Sequence, residues 1–100
     1  MRFEDISHDG KCDSCGREGQ VVCCASRIAP ATLAYCKTCH ANGIEPYDIL
    51  VASVAAACDN YPEDCGEALQ HIVRNNLIFR KKKEAEFISE LIEKKKILEV

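Results

Sequence analysis

At 100 residues with a formal net charge of −3, the chain suffices for one domain and is too short for two independent cores. It has no Trp and only three Phe and three Tyr, and a core so short of large side chains gains from a metal or covalent staple. The charge is divided: through Gly66 there are 5 basic and 10 acidic residues, and from Glu67 onward 8 and 6. The first half therefore offers no attraction to a phosphate backbone.

Residues 1 to 11 are mixed and polar, and the charged start Met1-Arg2-Phe3-Glu4-Asp5 is followed by no apolar segment, so no secretory signal is expected. Lys11-Cys12-Asp13-Ser14-Cys15-Gly16 then opens the first thiol pair. Gln20 to Ala25 and Ala31 to Tyr35 predict two short strands, with Ser26 to Pro30 turning between them. The hairpin leads into Cys36-Lys37-Thr38-Cys39, and Asn42-Gly43 suits the end of a single helical turn.

Pro46 stands where a first helical residue is favoured, and Tyr47 to Cys58 predict a helix that is apolar nearly all round. Such a helix belongs at the centre of a fold or against a partner. Its apolar stretch, Ile49 to Cys58, is interrupted by Ser53 and falls well short of the roughly 20 residues of a membrane span. Asp59-Asn60-Tyr61-Pro62 ends it, with Pro62 opening the next helix. Leu69, Ile72, Val73 and Leu77 predict an amphipathic helix over roughly 62–79, and Phe87, Ile88, Leu91 and Ile92 predict another over roughly 83–97. The basic run Arg80-Lys81-Lys82-Lys83 lies between them, and the pattern allows either a bend there or one continuous helix.

Eight cysteines in a chain expected to be cytoplasmic, with reduced thiols, favour metal binding over disulfides. Cys12-x-x-Cys15 and Cys36-x-x-Cys39 are separated by 20 residues, the two-pair spacing of a four-cysteine zinc site. Two residues between thiols let one tight turn aim both sulfurs at one ion, and a short hairpin brings a second such turn opposite. Gly16 supplies the tolerance of positive φ that such a turn needs. If the second pair opens a helical turn, its amides also stabilise thiolate charge.

The expected fold class is α+β: a small Cys₄ zinc module with a β-hairpin over 1–45, then two to three α-helices over 46–100 packed on it as one compact domain. The CxxCG knuckle, hairpin and second CxxC leading into helix, over about residues 11–45, resemble the treble-clef and zinc-ribbon families. That resemblance implies a structural Zn²⁺ and no particular activity. More loosely, Cys12-x-x-Cys15-Gly16 with Ala34-Tyr35-Cys36-x-x-Cys39 and Glu45-Pro46-Tyr47 is similar to small uncharacterised zinc-finger proteins of bacteriophages, which would place the chain in a host cytoplasm.

Competing chemistries find less to build on. His40 adjoins Cys39, and adjacent residues fit one ion poorly, so a role beside the metal is expected of it. A c-type haem string would need an exported protein and an axial partner, and a dithiol redox role would need a surrounding βαβ pattern. Treble-clef nucleases need a histidine on the hairpin and another on the helix, whereas here His8 precedes the knuckle and His71 lies far downstream. Cys23 and Cys24 are strand neighbours facing opposite sides, one expected in the core and one exposed. Cys58 and Cys65 are expected to be small buried hydrophobes flanking a helix–helix turn.

Arg80 to Lys83 and Lys94 to Lys96 would share one side of a continuous helix and meet phosphates, but the intervening glutamates favour a solvated, salt-bridged face. The function expected is therefore a non-enzymatic protein–protein interaction module, in the form of a phage-type inhibitor or adaptor. Its helices would engage another protein or a second copy of the chain, with no membrane involved. The alternative is a nucleic-acid-binding zinc protein of transcriptional-regulator type that uses Arg80, Lys81, Lys82 and Lys83.

Overall fold

The computed structural model describes residues 2–99; Met1 and Val100, the outer ends of the two expected regions, lie outside them. The short helix α1 (Phe3–Ile6) leads into three strands, β1 (His8–Lys11), β2 (Glu18–Ala25) and β3 (Thr32–Cys36). Five helices follow: α2 (Lys37–Asn42), α3 (Tyr47–Ala57), α4 (Glu67–Asn75), α5 (Leu77–Lys81) and α6 (Glu84–Leu98). The fold is α+β.

The strands form one antiparallel sheet in the order β1-β2-β3. The hairpin β2–β3 pairs Val21 with Cys36 and Ala25 with Thr32 at its two ends. Strand β1 is an addition to the expected hairpin, pairing His8 with Val21 and Lys11 with Glu18. Its sequence is polar and carries no β-branched residue, so its strand character comes from its partner. At Gly10 a Cβ would stand 2.9 Å from a Val21 methyl, and glycine there lets the strands close.

Helix α3 is central to the fold: Leu50 and Val54 are fully buried and Val51 and Ala55 nearly so. Ile28, from the loop that joins β2 to β3, packs against the same cluster. The helix expected over 62–79 is in fact two. Residues 62–65 are turn and bend, α4 starts only after Gly66, and Asn76 breaks the run with an extended backbone. The physical reason is Asn76, whose side-chain oxygen accepts from the amides of Ile78 and Phe79 at 2.9 and 3.2 Å. That cap starts α5 afresh. Lys82 and Lys83 are also extended, so α5 and α6 are not one continuous helix.

The scarce aromatics are concentrated. Phe87 is wholly buried and meets Tyr47, Tyr61 and Phe79 edge-on, at centroid distances of 6.3, 5.3 and 5.3 Å. Such contacts add about 0.5–1.5 kcal/mol per pair beyond area burial. A second, smaller core of Cys12, Val21, Tyr35, Cys39 and Ile44 lies on the sheet side.

Candidate metal centre

The four expected cysteines converge: the sulfurs of Cys12, Cys15, Cys36 and Cys39 all lie within 4.8 Å of one another. The first knuckle is closed by Gly16, whose amide donates to the Cys12 carbonyl at 2.8 Å and whose φ is 76°. The second pair sits at the start of α2, where Cys36 is the N-cap and its sulfur accepts from the Cys39 amide at 3.5 Å. Gly43, at φ 64°, ends α2 after one and a half turns, in the left-handed conformation that glycine tolerates.

The electrostatics suit a cation. Burial works against ionisation of Cys12, but the amides of Cys36, Cys15 and Ser14 donate to its sulfur and bring its pKa down to about 7. Burial, and then the neighbouring sulfurs, push Cys39 far up, and burial also raises Cys15. Cys12 is thus readier to ionise than Cys15 and Cys39, whose burial disfavours the charged thiolate. A metal ion could take all four sulfurs as ligands and offset that cost.

The surroundings contain residues that the sequence did not single out. Asp13, between the first two ligands, donates its amide to the Ala34 carbonyl at 2.9 Å and accepts the Ala34 amide on its carboxylate at 2.8 Å. Ser14 is buried and donates to the Ile44 carbonyl at 2.7 Å. Glu45 is only 2% exposed. One of its carboxylate oxygens accepts from the Tyr35 and Ser26 hydroxyls at 2.7 and 2.9 Å, the other from the Arg27 amide at 3.0 Å. Its own carbonyl accepts from the buried Asn76 side chain at 2.7 Å. Glu45 therefore joins β3, the hairpin loop and the α4–α5 junction. The only sequence signal for it was its place before Pro46, at a helix start.

Among the described residues, no histidine belongs to the four-sulfur group. His40 is exposed beside Phe3, at 6.5 Å between rings. His8 lies 4.0 Å from the exposed Cys23 sulfur, and His71 pairs with Asn75. Cys24 is half-buried against the sheet core. Cys58 and Cys65 are buried among the helices, where burial and the Cys58 thiol push Cys65 up to about 12.

Several of the basic residues have partners within the chain. Lys82 bonds Glu90 at 2.6 Å and lies 4.7 Å over the Tyr47 ring. The Arg80 guanidinium donates to the Arg74 carbonyl and to Asn75, and Lys95 pairs with Asp59. Lys81 and Lys83 are exposed. Among the described residues, no helix is long and apolar enough to cross a membrane.

No protein-family model, characterised protein or solved structure matches this chain. The donor set and its geometry are what bear on its chemistry.

Proposed function

We propose that the centre holds one structural Zn²⁺ and that the protein is a non-enzymatic interaction module whose helices engage another protein. The observation that carries the zinc reading is the spacing of the sulfurs. A tetrahedron of thiolates at about 2.3 Å from Zn²⁺ has edges of about 3.8 Å, and the Cys15 and Cys36 sulfurs are 3.8 Å apart. Four thiolates fill the coordination sphere, whereas catalytic zinc keeps a position open. The knuckle, the hairpin and the second pair at a helix start support a treble-clef arrangement. Metal analysis of the purified protein should find one zinc per chain, and Cys12→Ser or Cys39→Ser should lose both metal and fold. A cooperative fold retained without metal would sink the zinc reading.

The interaction reading draws on apolar side chains left in solvent on the last two helices. Leu77 and Ile78 on α5 are each 39% exposed, and Ile92, Ile97 and Leu98 on α6 are more than half exposed. A narrower form of this reading is a phage-type inhibitor or adaptor acting on a host protein. The nucleic-acid reading has less support, because Arg80 and Lys82 already have partners within the chain and the two basic runs lie on different helices. An affinity pull-down from cytosol with nuclease treatment separates the two. A protein retained stoichiometrically favours the interaction module; material lost with nuclease, and lost on neutralising Arg80 to Lys83, favours nucleic acid.

A further inference from the structure

The four sulfurs are not equivalent. Cys12 and Cys39 are 1% and 2% exposed, whereas Cys15 is exposed and Cys36 half-buried. The accessible two come from different pairs and stand 3.8 Å apart. A surface cleft of about 350 Å³, lined by Arg17, Gln20, Cys36 and Lys37 among others, opens onto the Cys36 side. A small polar oxidant thus meets Cys15 and Cys36 more readily than the buried Cys12 and Cys39.

We propose that the Cys15–Cys36 edge is a peroxide-sensitive release point, where the two thiolates close into a disulfide and the metal is let go. The inference rests on the zinc reading above. One thiolate sulfur attacks a peroxide oxygen; the O–O bond breaks, a sulfenic acid forms and hydroxide leaves. The second thiolate attacks the sulfenic sulfur, the S–S bond forms and a second hydroxide leaves. The two sulfurs lose two electrons and hydrogen peroxide gains them. The sulfurs must approach from 3.8 Å to about 2.0 Å, and Cys12 and Cys39 alone no longer saturate the ion. Because this disulfide would link the two knuckles rather than close either one, it removes a ligand from each pair at once.

The test treats the zinc-loaded full chain with hydrogen peroxide. Released zinc is followed with a chromogenic chelator, and the disulfides are mapped under acid quench. Trypsin cleaves after Arg17 and Lys37, which separates Cys36 from Cys39, and fragment ions tell Cys12 from Cys15. The expected result is one equivalent of zinc released per Cys15–Cys36 disulfide, in the native chain and in Cys23→Ser alike, reversed by dithiothreitol and added zinc. Zinc retained at a peroxide concentration that oxidises Cys23, or a dominant disulfide between any other two cysteines, overturns the proposal alone. A chain that carries no zinc before peroxide is added overturns the metal reading and this proposal with it.

Discussion

The Tyr35 hydroxyl donates to the buried carboxylate of Glu45 at 2.7 Å, tying the strand that delivers Cys36 to the residue that leads into the helical half. Glu45→Gln would turn an amide N–H₂ toward groups that are themselves donors. Charged hydrogen bonds of this kind contribute about 1.5–3 kcal/mol, so a loss of about 2 kcal/mol or more is expected in urea unfolding of the metal-loaded protein. Tyr35→Phe should cost less, and the double mutant should fall short of the sum of the two singles.

Asn76 caps α5 and also satisfies the Glu45 carbonyl. Asn76→Ala removes the cap, worth about 1 kcal/mol, and leaves a buried carbonyl without its partner, at about 1–3 kcal/mol. Thermal unfolding should show a combined loss of about 2–4 kcal/mol. Asn76→Asp should keep the cap but lose the bond to the carbonyl.

Phe87→Ala should be the most damaging change in the helical half. The wholly buried ring touches three other aromatics, and truncating such a residue costs about 3–5 kcal/mol. Phe87→Leu should cost markedly less, since it keeps much of the volume. Equal losses for the two variants in denaturant melts would show that packing volume is not what the ring supplies.

Alkaline pH should loosen the fold through two tyrosines. Burial, and then the carboxylates of Glu45 and Glu90, hold the hydroxyls of Tyr35 and Tyr47 well above the ordinary tyrosine range. An unfolded tyrosine ionises near pH 10, so above that point the folded state holds more protons than the unfolded one. Their contribution is fully present below about pH 10 and is lost as pH rises toward the folded values. The urea midpoint should fall as pH rises from about 10 to about 11, less steeply in Tyr35→Phe and Tyr47→Phe. An unchanged slope in both variants would contradict this assignment.

The cysteine spacing, the hairpin, the stop at Asn42-Gly43 and the helix after Pro46 could all be read from the sequence, because each depends on neighbours a few residues away. The remainder depends on distant partners. Leu69, Ile72, Val73 and Leu77 keep helical spacing across Asn76, so periodicity does not reveal that its side chain is taken by Glu45 and the next helix. Strand β1 is polar and exists by pairing with β2. Glu45 itself looks like any surface glutamate; its burial follows from Tyr35, Ser26, Arg27 and Asn76, which only the folded chain assembles. For the four-sulfur cluster the identity of the cysteines was legible, and the inequality in their exposure was not.

Asp13, which lies between Cys12 and Cys15 of the four-sulfur group, occupies both hydrogen-bonding groups of Ala34 on β3. An open strand edge is a template for another chain, and the first knuckle blocks this one with a single turn. If an ion holds that turn, as proposed, its removal would loosen the turn and give β3 back an unpaired flank in a stretch carrying Leu33 and Tyr35. Metal-stripped protein should therefore be lost to self-pairing and precipitation as well as to unfolding, and the damage should grow with concentration. On the zinc reading proposed above, a bound ion would also keep copies of the chain apart.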